Sequence, residues 1–185
     1  MDLELTSRQY DEVARNCRKT FARKLVDYGA SWRILRPTSL TDQIFIKAKR
    51  IRSIETTGEN RVGDDIYGEL GAIVNYGLIG LIQLSEGYAD VIDMNVEQAL
   101  EKYDTFFSAA KSLMMDKNHD YGEAWREMRT ASYTDLILTK LCRVKQIEDN
   151  DGVTLVSEGI DSNYYDIINY AMFGLIRHLE STKTE

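Results

Sequence analysis

Two pairs of cations sit where apolar side chains belong. A helical projection at about 100° per residue puts Lys47 in one arc with Ile44, Ile51 and Ile54, and Arg50 at its edge. Further along, Lys140 shares an arc with Ile137, Val144 and Ile147, and Arg143 lies beside it. A cation turned toward a core is expensive unless an anion meets it there. That anion is either a carboxylate on a neighbouring helix or a phosphate of a bound ligand. Asp166 and Asn169, one turn apart, share an arc with Phe173 and Ile176 and supply candidates of the first kind. Earlier in the chain Asn75 lies with Ala72, Ile79 and Ile82, and the nearest acids are Asp65 and Glu69. Two readings stand side by side. Lys140, Arg143, Asp166 and Asn169 form a buried ion network that fixes helix register, or carboxylates from facing helices hold Mg²⁺ while the basic pairs grip phosphate oxygens. Magnesium takes hard oxygen ligands, and helical bundles commonly present them from facing helices.

The elements that must position these residues are duplicated. Residues 24–55 and 117–148 align without a gap at an offset of 93, with 15 of 32 positions identical, against roughly two by chance. The match reaches upstream through Tyr10-Asp11 and Tyr103-Asp104. After a one-residue shift it runs downstream, where Asn75-Tyr76 meets Asn169-Tyr170 and Gly80-Leu81-Ile82 meets Gly174-Leu175-Ile176. Ala72 is the position matching Asp166. Repeat one covers about 6–88 and repeat two about 95–182 of a single 185-residue domain.

Each repeat reads as three helices. The first begin at Thr6-x-x-Gln9 and Asn95-x-x-Gln98, both of capping-box form, and break at Asp-Tyr-Gly. The second begin at Ser39 and Ser132, with a capping serine and an acid near the helix start, and end near Glu55 and Asp149. The third span about 64–85 and 161–181. Gly68, Gly71, Gly77 and Gly80 point to a close helix crossing, since glycine otherwise weakens a helix. The expectation is an all-α helical bundle of two tandem three-helix repeats related by a pseudo-two-fold axis.

Composition narrows the partners. The net charge of −7 opposes a general nucleic-acid coat. The excess acid lies in the second half: residues 1–92 hold 13 basic and 13 acidic side chains, residues 93–185 hold 10 and 17. Two cysteines make neither a disulfide framework nor a zinc site. The apolar run Leu70–Leu84 is interrupted by Asn75 and Gln83 and is too short to span a bilayer. With no apolar signal region at the start, a cytoplasmic setting is expected. His119 and His178 have no counterparts in the other repeat, which disfavours a histidine-based mechanism.

The Asp-Tyr-Gly-x-x-Trp loops carry Tyr28, Trp32, Tyr121 and Trp125. These aromatics either anchor the loops over the core or form a stacking wall for a base beside a phosphate site. Arg33, Arg36, Arg126 and Arg129 follow them; guanidinium groups there suit phosphates, and a solvated role suits them equally.

With D-Y-G-x-x-W followed by T-D-x-I-x-x-K-x-x-R and a helix containing Asn-Tyr, both repeats resemble the nucleotide modification associated domain family. The resemblance implies an all-α protein of nucleotide metabolism. More distantly, acids on paired helices look like the all-α nucleoside triphosphate pyrophosphatases of the MazG type, which bind Mg²⁺ with an E-x-x-E helix and an E-x-x-D helix. This chain meets that pattern in part, with Glu148 alone, Glu158-x-x-Asp161, and Asp166-x-x-Asn169. One composite site weighted to repeat two follows. Glu148, Glu158, Asp161 and Asp166 would hold Mg²⁺ and orient a water for attack on the α-phosphorus. Lys140 and Arg143, with Lys47 and Arg50, would neutralise phosphate charge, and Asn169 would orient ligand or water. Tyr28, Trp32, Tyr121 and Trp125 would contact the substrate. The expected partner is a nucleotide or other phosphorylated small molecule, with no membrane; a homodimer is compatible with the sequence. The alternative is a non-catalytic nucleotide-binding or scaffold protein that keeps the basic pairs.

Overall fold

The computed structural model describes residues 2–63, 65–155 and 158–183, and every regular element among them is helical. The chain runs α1 Leu3–Tyr28, α2 Pro37–Thr57, α3 Ile66–Glu86, α4 Val96–Tyr121, α5 Thr130–Asp149 and α6 Ile160–Lys183. A short 3₁₀ turn joins the first two helices of each set, Ser31–Ile34 in one and Ala124–Glu127 in the other. This is the tandem architecture read from the repeat.

Most breaks fall where the sequence sets them. Gly29 and Gly122 follow α1 and α4 at φ 60° and 62°, a region glycine occupies without a Cβ clash. Asn95 and Gln98 cap α4 reciprocally, at 2.8 Å and 3.0 Å. Thr6 does not do the same for α1. That helix starts at Leu3, capped by the Asp2 carboxylate, which accepts Leu5 N–H at 2.9 Å. Thr6 is therefore an interior, fully buried residue whose hydroxyl donates to Glu123. Ser39 and Ser132 also lie inside their helices. Helix α2 starts at Pro37, whose fixed φ suits a first turn, and α5 at Thr130; neither has a side-chain cap bond.

The repeats interlock about the pseudo-two-fold axis. Tyr103 donates to Asn75 Oδ1 at 2.7 Å, and Tyr10 donates to Asn169 Oδ1 at 3.0 Å. Arg18–Asp104 and Lys111–Asp11 both close at 2.7 Å. The Thr41 hydroxyl donates to Glu148 at 2.6 Å and the Thr134 hydroxyl to Glu55 at 3.0 Å. Each pair crosses between repeats and exchanges with its mate under the sequence offset. Helices α3 and α6 cross at glycines: a Cβ on Gly80 would run into the Tyr164 ring, and one on Gly174 would come within 2.9 Å of Leu70 Cδ1. Gly71 was expected to share this role but does not, because a Cβ there meets nothing within 4 Å. One apolar cluster draws on all six helices, from Tyr10 and Ile44 to Ile137 and Ile167, so the repeats share a core. Among the described residues no helix is long and apolar enough to cross a membrane.

Candidate functional site

Three of the inward cations, Lys47, Arg50 and Lys140, meet carboxylates. Lys47 Nζ lies 3.0 Å from Glu69 Oε2, and Arg50 bonds the other oxygen of Glu69 and, at 3.0 Å, Asn60 Oδ1. In repeat two Lys140 Nζ lies 2.8 Å from Asp166 Oδ2, and Lys117 of α4 takes Oδ1 at 2.6 Å. Burial alone would depress the Lys140 pKa, but its hydrogen bond to Asp166 and that residue's charge outweigh it and hold the ammonium above its ordinary value. Arg143 reaches Gln146 on its own helix at 3.4 Å. The acid has moved by one helical turn between the copies, since Glu69 aligns with Asn163 and Asp166 with Ala72. The same lysine is thus neutralised from two different positions of the third helix.

The carboxylates expected to hold Mg²⁺ do not converge. Both oxygens of Asp166 are engaged by lysines. Glu148 accepts from Thr41, whose hydroxyl also pairs with Tyr164 at 2.8 Å. Burial raises the Glu148 pKa, as it raises that of its counterpart Glu55. Glu158 acts on Lys140 electrostatically and Asp161 on Tyr165. Among the described residues no three His, Cys, Asp or Glu side chains stand close enough to hold a metal ion. A hard dication needs several unpaired oxygens around one point, and this donor set does not fit it. Asn169 is similarly committed, accepting from Tyr10 and donating to Ala110 O at 3.0 Å.

The loop aromatics of the two repeats differ in their surroundings. Trp125 is buried, stacked on Phe173 at 4.3 Å between centroids and 6° between planes, with the Arg126 guanidinium 4.3 Å from its ring centroid. It anchors the loop. Arg126 itself bonds Glu180, Thr6 and Gln9, and its counterpart Arg33 is buried against Asp93, Gln83 and Gly87 O, so these arginines brace the bundle. Tyr121 is exposed.

Trp32 is buried as well, but its surroundings differ. It lines a cavity of about 940 Å³ bounded by α1, the first 3₁₀ turn, α3 and the end of α6. Phe21, Tyr28 and Tyr76 contribute further aromatic surface, and Tyr67 stacks on His178 with centroids 3.3 Å apart. Polar groups come from Asn16, Thr20, Asn75 and Lys24. No Asp or Glu among the described residues lines it, in a chain with 30 acids. The indole N–H groups of Trp32 and of its counterpart Trp125 are both buried without a hydrogen-bond partner among the described residues. Lys47, outside the lining, lies 6.0 Å from the centroid of the Tyr76 ring. Burial pushes the lining thiol of Cys17 up to about 12, which keeps it protonated.

Tyr28 and Trp32, singled out by their motif, line this cavity together with Lys24, Thr20, Tyr67 and His178, which no motif marks. The divergence itself was the available signal: Gly71, Ala72 and Ile79 in α3 stand where α6 has Tyr165, Asp166 and Phe173.

An all-α duplicated bundle with paired Lys–carboxylate contacts at matching places is the class that fold and site define. The model of the family described as nucleotide modification associated domain 1 matches residues 24–84 and 117–178, once per repeat, and the chain belongs to that family. No curated protein and no solved structure matches it significantly.

Proposed function

We propose that the protein is a nucleotide-binding protein whose ligand occupies the repeat-one cavity. The observation that carries this is the lining: several aromatic rings, a few convergent polar groups and one lysine, with no acid among the described residues, in an acidic chain. A cavity of about 940 Å³ lies in the size range of small-molecule sites. Flat rings beside a lone ammonium suit a planar base carrying a phosphate, and membership of a nucleotide-associated family agrees with that ligand class.

Mg²⁺-dependent pyrophosphate release is the more specific expectation, and it is less well supported. Glu148 and Asp166 would have to leave Thr41 and two lysines before either could take a metal. Binding, rather than turnover, is what this geometry favours. Equilibrium dialysis with a nucleotide panel, with Mg²⁺ or with chelator, tests it alongside an assay for released pyrophosphate. Saturable binding of one ligand per chain, indifferent to chelator, is the expected result. Magnesium-dependent pyrophosphate release would return the hydrolase, and failure of every nucleotide to bind would reject the nucleotide reading.

A further inference from the structure

The filled copy of the site shows what the open copy lacks. Under the offsets of 93 and 94, Trp32 matches Trp125, Lys24 matches Lys117, Ile79 matches Phe173, Ala72 matches Asp166 and Gly71 matches Tyr165. In repeat two the tryptophan carries the Phe173 ring at 4.3 Å, nearly parallel, and the lysine carries the Asp166 carboxylate at 2.6 Å. In repeat one both side chains are retained and both partners are gone. No acid among the described residues pairs with Lys24, and Gly71 opens onto empty space. The space left by truncating Phe173, Tyr165 and Asp166 to Ile, Gly and Ala is continuous with the cavity, because all three repeat-one residues line it.

We propose that the repeat-one cavity is specific for a nucleoside monophosphate, its base stacked on Trp32 where Phe173 lies on Trp125 and its single phosphate paired with Lys24 where Asp166 meets Lys117. This rests on the nucleotide-binding reading above and deepens it. Repeat two binds no such ligand, since its own side chains occupy the equivalent positions; each chain takes one. One lysine balances a monophosphate, whereas the further phosphates of a triphosphate would gain no second lysine or arginine from this lining.

The test is calorimetric titration of the full chain with uridine, adenosine, their 5′-monophosphates and their 5′-triphosphates. Each monophosphate should bind about tenfold or more tighter than its nucleoside, which is the margin of one charge-assisted contact, and at least as tightly as its triphosphate. Lys24→Met, at an exposed position, should erase the margin between monophosphate and nucleoside without unfolding the chain. The pair Ala72→Asp with Ile79→Phe, which rebuilds the repeat-two filling, should abolish binding. If no compound binds, the nucleotide reading fails and this proposal with it. If nucleotides bind but triphosphates bind much more tightly, or Lys24→Met leaves the margin intact, the cavity remains a nucleotide site and the monophosphate assignment is overturned. Undiminished binding by the folded double variant would place the ligand elsewhere.

Discussion

Lys117 Nζ lies 2.6 Å from Asp166 Oδ1, and that carboxylate's other oxygen lies 2.8 Å from Lys140 Nζ. One acid therefore holds together α4, α5 and α6. With its side chain only 11% exposed, and the lysines 46% and 29% exposed, Asp166 is the buried member of a partly solvated trio. Asp166→Asn should leave two ammonium groups facing each other across an amide and destabilise the fold by about 1–3 kcal/mol, between the values for exposed and buried pairs. Denaturant midpoints with and without Mg²⁺ check this, and the loss should be the same in both. A variant of unchanged stability would point to a role in chemistry rather than in packing.

Two glycines of α3 should respond in opposite directions to the same methyl group. Gly80→Ala drives a Cβ into the Tyr164 ring at the helix crossing and should cost about 1–3 kcal/mol. Gly71→Ala puts its Cβ into open space and should gain up to about 1 kcal/mol from helix propensity. Thermal melting of the two variants suffices, and a destabilised Gly71→Ala would mean that the cavity wall is not as open as described.

The repeat was legible because residues on both sides of the axis are constrained by the same contacts. Tyr10 and Tyr103, Asn75 and Asn169, and Thr41 and Thr134 are each held by a partner from the other copy, so neither copy could change alone. Helix starts were less legible. Thr6 has the pattern of a cap but is needed inside the bundle for Glu123, and Pro37 begins α2 ahead of the serine that seemed suited to it. The inward cations were found by periodicity, and for Lys47, Arg50 and Lys140 the anion they need is there. Asp166 and Glu69, the carboxylates they meet, stood among the acids the sequence offered; that Lys117 shares Asp166 was not legible, because it comes from another helix and sequence spacing carries no such distance. The cavity was hidden for a related reason: small side chains show that space exists only when the residues opposite them are known.

Buried carboxyls give a pH signature. Burial raises the pKa of Glu148 and of Glu55 above the ordinary 4.5. Each folded-state carboxyl binds its proton more readily than the unfolded one, so stability falls as pH rises from about 4.5 through the raised value and stays lower above it. Glu148→Gln and Glu55→Gln keep an oxygen for Thr41 and Thr134 while removing the charge. Both should raise the melting temperature at pH 7, and the advantage should shrink as pH falls toward 4.5. Melting curves across that range check the sign; a Glu148→Gln variant less stable at pH 7 would show that Lys145, not burial, governs this carboxylate.

The crossed tyrosines offer a test of the axis. Tyr103→Phe leaves Asn75 Oδ1 without its hydroxyl donor in a buried setting, and Tyr10→Phe does the same to Asn169. Each should cost about 1–3 kcal/mol. Chemical denaturation measures both, and equivalent places in a two-fold frame should give similar losses.

The chain has two tryptophans, one lining the cavity and one sealed under Phe173, so two indole N–H resonances report separately on the open and filled copies. A nitrogen–proton correlation spectrum of the labelled protein, assigned with Trp32→Phe and titrated with uridine 5′-monophosphate and adenosine 5′-monophosphate, tests the central claim most directly. The Trp32 indole signal should shift in a saturable way while that of Trp125 stays in place. A Trp32 signal that does not move at saturating nucleotide, or a shift confined to Trp125, would contradict a ligand site in repeat one.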